Sequence, residues 1–102
     1  MSFSLRLILL LFFLTLINAQ DTGTLTGLIN EASNGSGLPG VNVMVKGTYY
    51  GAASDLEGRY RIDNISPGSY DIEISMIGYK IILKTGVTVS PGEIIDLDFN
   101  ME

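Results

Sequence analysis

The feature that most constrains this chain is strict two-residue alternation of apolar and polar side chains, repeated from one short segment to the next. Residues 69–76 put Tyr70, Ile72, Ile74 and Met76 on one parity and Ser69, Asp71, Glu73 and Ser75 on the other. Successive side chains of a strand leave on opposite faces, whereas a helix repeats every 3.6 residues, so this segment reads as a half-buried antiparallel strand. Residues 59–63 repeat the rule with Tyr60 and Ile62 facing in. Residues 95–101 do so again, with Ile95, Leu97, Phe99 and Met101 opposite Asp96, Asp98 and Asn100. Val41, Val43 and Val45 share a face opposite Asn42, Met44 and Lys46, and Leu25, Gly27 and Ile29 mark a weaker first strand. Residues 79–83 and 86–89 add one interrupted strand or two. No amphipathic helical stretch stands out after residue 20.

Turn chemistry separates the runs. Asn34-Gly35-Ser36-Gly37 is a flexible loop that Leu38-Pro39-Gly40 closes. Asp55-Leu56-Glu57-Gly58 puts Asp first and Gly fourth, as a type I turn prefers. Ser66-Pro67-Gly68 and Ser90-Pro91-Gly92 place Pro before Gly, which suits the central positions of a type II turn. Short strands punctuated this closely predict an all-β chain, a β-sandwich of about seven antiparallel strands. Its expected core is Ile29, Val43, Val45, Tyr60, Ile62, Tyr70, Ile72, Ile74, Leu97 and Phe99.

The first 19 residues lie outside that pattern. Arg6 is followed by an 11-residue apolar run, residues 7–17, broken only by Thr15, and Ile17-Asn18-Ala19 offers a cleavage point. This is the layout of a secretory signal peptide, and the run is short beside the roughly 20 residues of a membrane span. The expected division is residues 1–19 as a cleaved signal peptide and 20–102 as one exported β-sandwich domain, without membrane insertion of the mature part.

That mature part holds 5 basic and 11 acidic side chains, a net charge of −6. Nucleic acid and anionic membranes both select for Lys and Arg, so neither is an expected partner. The chain has no Cys and no His, which excludes disulfides, Cys nucleophiles, His general bases and the usual zinc ligand sets. No catalytic residue, cofactor site or metal site is expected.

Four sets of residues remain as candidates. Asp55 and Glu57, with Asp63 nearby, only loosely approximate a calcium loop, because Leu56 interrupts it and Gly58 comes early; solvated turn acids fit better. Paired acids could serve a glycosidase, but here they alternate with core residues on outward faces, with no sign of a concave pocket. Lys46 and Asn100 could form an isopeptide only from within a core, and both are out of phase with it. Tyr49 and Tyr50 stand between two strands, where adjacent tyrosines can contact a protein or a glycan or cover a sandwich edge. They are the candidate contact residues.

The motifs together resemble a known family. Residues 27–29 (G-x-I), 38–43 (L-P-G-V-x-V), 46–48 (K-G-T) and 54–60 (S-D-x-x-G-x-Y) are followed by 62–70 (I-x-x-I-x-P-G-x-Y) and 77–79 (I-G-Y). Their order and spacing resemble the carboxypeptidase regulatory-like domain over residues 23–99. The resemblance implies a transthyretin-like (prealbumin-like, Ig-like) sandwich. It further implies a place at the N-terminus of TonB-dependent, SusC-like outer-membrane receptors of Bacteroidota, behind the signal peptide. The expected function is then a non-enzymatic accessory domain on the periplasmic side, in protein–protein contact with other domains of a receptor or outer-membrane complex. A plug and barrel are absent from the 102 residues, so the expectation is a receptor fragment or, alternatively, a free-standing exported binding or structural sandwich, carbohydrate- or surface-associated.

Overall fold

A computed structural model of the chain describes residues 21–102; the predicted signal peptide lies outside the described residues. The period-two runs become strands: β1 (Gly23–Glu31), β2 (Asn42–Val45), β3 (Gly51–Ala53), β4 (Arg59–Ile65), β5 (Gly68–Ser75), β6 (Ile82–Val89), β7 (Ile94–Asp96) and β8 (Phe99–Met101). They form two four-stranded sheets. One has the order β4-β1-β7, with β8 pairing β1 further along, at Ile29–Glu31; the other has the order β3-β2-β5-β6. Leu25 and Ile29 from β1, Val43 and Val45 from β2, and Ile72 and Ile74 from β5 are fully buried between the sheets. Each such side chain contributes roughly 1.5–3 kcal/mol on burial.

The β-sandwich agrees with the sequence reading, with two corrections. The strands number eight, close to the expected seven: the alternation does not mark β3, residues 79–89 give the single strand β6, and residues 95–101 are broken in two. Leu97 donates its N–H to Thr26 O (2.9 Å), while Leu28 donates to the Asp98 side chain (2.8 Å) instead of to a backbone carbonyl. The acid therefore interrupts the ladder without disturbing the inward parity. Nor is the sandwich wholly antiparallel: β7 and β8 both run parallel to β1. The chain reaches β7 by crossing over from the other sheet, so no hairpin forces these strands to be antiparallel.

Of the expected core, seven residues are buried, while Tyr70, Leu97 and Phe99 are half-buried and pack against its margin. Leu97 and Phe99 lie on the outermost position of their sheet, covered from one side only. Leu25, Val41, Ile65, Val87, Val89 and Met101 complete the core. Bulges account for Val87 and Ile65. Tyr70 pairs with Val87 and Ile72 with Lys84, so β6 carries one extra residue there, with Gly86 left-handed at φ 68°. A matching shift in β4 puts Asn64 at φ 60°.

The turns follow their residues. Ser90-Pro91-Gly92-Glu93 closes with Glu93 N donating to Ser90 O (3.1 Å) and Gly92 left-handed at φ 72°, as a type II turn requires. Ser66-Pro67-Gly68 differs from the expectation, since Gly68 is absent from the left-handed region and opens β5. That segment carries the chain between sheets. It is fixed by Tyr70, which donates its hydroxyl to Ser66 O (2.6 Å), a tyrosine corner.

Ser54 locks the loop from Leu38 to Val41 against β3. Its hydroxyl donates to Leu38 O (2.6 Å) and accepts from Val41 N (2.8 Å), in a buried position. Ser54→Ala would leave a buried amide and a carbonyl short of a partner, which costs about 1–3 kcal/mol. The expected outcome is a urea midpoint that falls with the slope m unchanged; an unaltered midpoint would mean water replaces the hydroxyl.

Candidate functional site

The two candidate tyrosines are placed differently. Tyr49 caps the tight connection between β2 and β3 and is fully exposed, at 106% of the reference area. Tyr50, its neighbour, is half-buried against the core, and its hydroxyl lies 3.2 Å from Ser66 Oγ. The local sequence accounts for the split. Gly47 takes φ 79°, the Thr48 hydroxyl donates to Val45 O (2.7 Å) and accepts from Tyr50 N (3.0 Å), and Val45 N donates to Tyr50 O (3.0 Å). Strand alternation then turns Tyr50 inward and Tyr49 outward. The structure does not bring the pair together as a stacking platform; Tyr49 alone projects into solvent.

The remaining motif residues build architecture. Asp55 Oδ1 accepts from Glu57 N and Arg59 N (both 2.9 Å), and Gly58 N donates to Asp55 O (3.0 Å), so this carboxylate closes the expected type I turn. Asp63 binds Arg61 Nε at 2.9 Å and accepts from Thr24. Among the described residues no group of three or more acids stands where it could hold a metal. Lys46 and Asn100 are both exposed, and Lys46 Nζ lies 3.4 Å from Glu73.

Tyr60, the last residue of the S-D-x-x-G-x-Y motif, crosses the first sheet. It is 2% exposed, and its hydroxyl donates to Leu97 O, where β7 gives way to β8. Burial, reinforced by Asp98 and then Asp96, raises its phenol well above the ordinary tyrosine value. Tyr79 in the I-G-Y turn is raised too, chiefly by the nearby Glu31 carboxylate. For a group whose folded pKa is raised, the unfolded chain gives up the proton first. Stability is therefore fully present below the unfolded value near 10 and is lost as pH rises above it. Alkaline titration followed by tyrosine absorbance should show Tyr60 ionising only together with unfolding. Tyr60→Phe should flatten the fall in stability above about pH 10. A phenol at position 60 that titrated reversibly in the folded state would contradict this.

Sequence reasoning anticipated no concavity, yet two shallow ones exist. Thr26, Gly27, Leu28, Arg59, Asp96 and Asp98 line a cleft of about 280 Å³ where β7 and β8 part. Another, of about 330 Å³, lies under the β5–β6 turn beside Ile77 and Ile81. Both are at the lower limit of ligand pockets. In the first, Asp98 already accepts from Leu28 N and the Tyr60 hydroxyl is spent on Leu97 O. The β7–β8 break that creates this cleft leaves the alternation of residues 95–101 intact, so the sequence carries no mark of it.

Comparison with known proteins is consistent with this architecture. The carboxypeptidase regulatory-like domain matches residues 24–102. TonB-dependent receptor P39 of Formosa agariphila is 35% identical over 104 aligned residues, covering 100% of this chain and 9% of the receptor. TonB-dependent receptor P3 of the same organism is 28% identical over 100 residues, covering 94% of this chain and 10% of the receptor. The chain thus spans about a tenth of the length of the curated relatives it matches. Among solved structures, a chain of a type II cohesin–X-dockerin complex from Acetivibrio cellulolyticus superposes with a TM-score of 0.64 at 24% identity, over 76% of this chain and 52% of that one. A putative carbohydrate binding protein from Bacteroides uniformis gives 0.61 at 16% identity, over 79% and 41%. At those identities the likeness is one of fold. The family match, covering every strand of both sheets, is decisive: this chain belongs to the carboxypeptidase regulatory-like domain family.

Proposed function

We propose that this chain is a non-enzymatic interaction domain of a TonB-dependent outer-membrane receptor for nutrient uptake. In this reading it stands at the N-terminus behind a signal peptide of residues 1–19 and faces the periplasm. The observation that carries the reading is the alignment with receptor P39, which takes in the whole of this chain and a small part of the receptor. The site chemistry supports it. The motif residues Ser54, Asp55, Gly58 and Tyr60 are committed to turns and packing, and in the cleft beside Leu28 the Asp98 carboxylate is engaged by a backbone amide. Tyr49, exposed on a braced turn, is the proposed contact with another receptor domain or an outer-membrane partner.

Immunoblotting of cell fractions with an antibody against residues 21–102 tests the assignment. The expected result is a species several-fold longer than this chain in the outer membrane, with Gln20 as its N-terminal residue. A species of about the domain's own size, free in the periplasm or medium, would overturn it in favour of a stand-alone exported sandwich. A photo-crosslinking residue at position 49 should yield an adduct that the same residue at exposed position 57 does not; equal labelling would remove Tyr49 from the contact.

A further inference from the structure

The β3-β2-β5-β6 sheet ends in β6, an eight-residue strand with a neighbour on one side only. Alternate backbone N–H and C=O groups along such an edge have no partner in the sheet. The other sheet edges are shorter or differently dressed. β3 has three residues, β7 and β8 have three each and are broken apart, and β4 carries Arg59, Arg61 and Asp63, engaged in ion pairs.

The run leading into β6, residues 80–84, is Lys-Ile-Ile-Leu-Lys. Ile81 is 65% exposed and Leu83 50%, and Ile77 on the preceding turn is wholly exposed. Leu83 pairs with Glu73, which pairs with Met44, so on the outer face the Glu73–Lys46 ion pair separates Leu83 from Met44, itself 44% exposed. The charges are as unusual. Residues 21–102 carry five cations and a net charge of −6. Three of those cations stand against acids: Lys46 by Glu73, Arg59 by Glu57 and Arg61 by Asp63. The two without such an acid among the described residues are Lys80 and Lys84, at the two ends of this run.

Parity organises the run. Ile81 and Leu83 share one parity and Lys80 and Lys84 the other, so on an extended backbone they leave toward opposite faces. A strand laid beside this edge meets Ile81 and Leu83 on one face and, on the other, Lys80 and Lys84 with the half-buried Ile82 between them. We propose that the β6 edge takes up an extended polypeptide segment in which apolar and acidic residues alternate. The added strand extends the sheet to five, with its apolar residues on the Ile81–Leu83 strip and its acids toward Lys80 and Lys84. Edge lysines and bulges also serve to block strand addition. Blocking, however, leaves the exposed Ile77, Ile81 and Leu83 unexplained, and the Gly86 bulge lies beyond the run. The inference requires only the folded domain and stands apart from the receptor assignment and from Tyr49.

The test is a titration of the 15N-labelled chain with a capped eight-residue peptide of alternating Glu and Val, and with its Lys–Val counterpart. Amide shifts and slowed hydrogen exchange are expected along residues 80–88 with the Glu–Val peptide, even though the domain is acidic. Lys80→Glu/Lys84→Glu should bind that peptide about tenfold more weakly and prefer the Lys–Val peptide. No shifts at millimolar peptide would show the lysines to be blockers and overturn the proposal. So would shifts confined to β3 or β4, or a double variant that binds as the parent does. Concentration-dependent self-association through residues 80–88 in sedimentation velocity would overturn it in favour of a second copy of this chain.

Discussion

Ile72→Asp should abolish cooperative folding: the purified protein is expected to show no thermal transition and a collapsed, poorly dispersed amide spectrum. Ile72 is 1% exposed, in the middle of β5, with Val45 on one flank and Lys84 of β6 on the other. The one neighbouring cation is Lys84, across on β6; it is exposed at the sheet edge and would compensate a carboxylate at that depth only in part. An uncompensated buried charge costs several kcal/mol even after relaxation, and losing the isoleucine removes about 2–5 kcal/mol more. Together these approach the whole stability of a domain this small, about 5–15 kcal/mol for ordinary proteins. Ile72→Val is the control and should cost about 0.5–1.5 kcal/mol. A parent-like melt for Ile72→Asp would mean that β5 presents the opposite face to the core.

Gly58→Ala should be strongly destabilising, because it combines a left-handed backbone with a lack of space for a methyl group. Gly58 sits at φ 85°, and a Cβ there would lie 2.4 Å from Ile29 O and 2.9 Å from Gly37 Cα and Leu38 N. All three are backbone atoms, and Ile29 N donates to Gly58 O (2.8 Å), so the neighbours cannot withdraw without opening the contact between β1 and the β3–β4 turn. The left-handed conformation alone costs roughly 1–2 kcal/mol for an L-residue, and overpacking adds about 1–3 kcal/mol. Gly47→Ala separates the two effects. Gly47 has nearly the same φ, 79°, with nothing within 4 Å of its added carbon, so it should show the backbone cost alone. The expected melting points lie in the order parent, Gly47→Ala, Gly58→Ala. At roughly 4–8 °C per kcal/mol for a domain of this size, the two variants are easily resolved. Equal shifts would mean that the β1 contact yields.

The candidate site was legible in part. Adjacent tyrosines at positions 49 and 50 are visible in the sequence, but that one is fully exposed and the other held beside Ser66 depends on the hydrogen bonds of Thr48 and on the corner that Tyr70 closes. Asp98 looked like one more outward acid; its role as a stand-in for a backbone acceptor appears only with Leu28 beside it. The exposed run at residues 80–84 falls where the sequence reads as one interrupted strand or two, and composition does not say which strand ends a sheet. The one available signal was an apolar run flanked by lysines in an otherwise acidic chain.

What the sequence by itself determined is local and periodic: strand phase, the class of most turns, and seven of ten core positions. The physical reason is that alternation and turn preference act between near neighbours, where the pleat and left-handed backbone angles select residue types directly. Only the tertiary structure decided the parallel pairing of β1 with β7 and β8, the bulges that bring Val87 and Ile65 inward, and the exposure of β6. Those outcomes come from contacts between segments far apart in the chain, chosen by how two sheets close over one shared core.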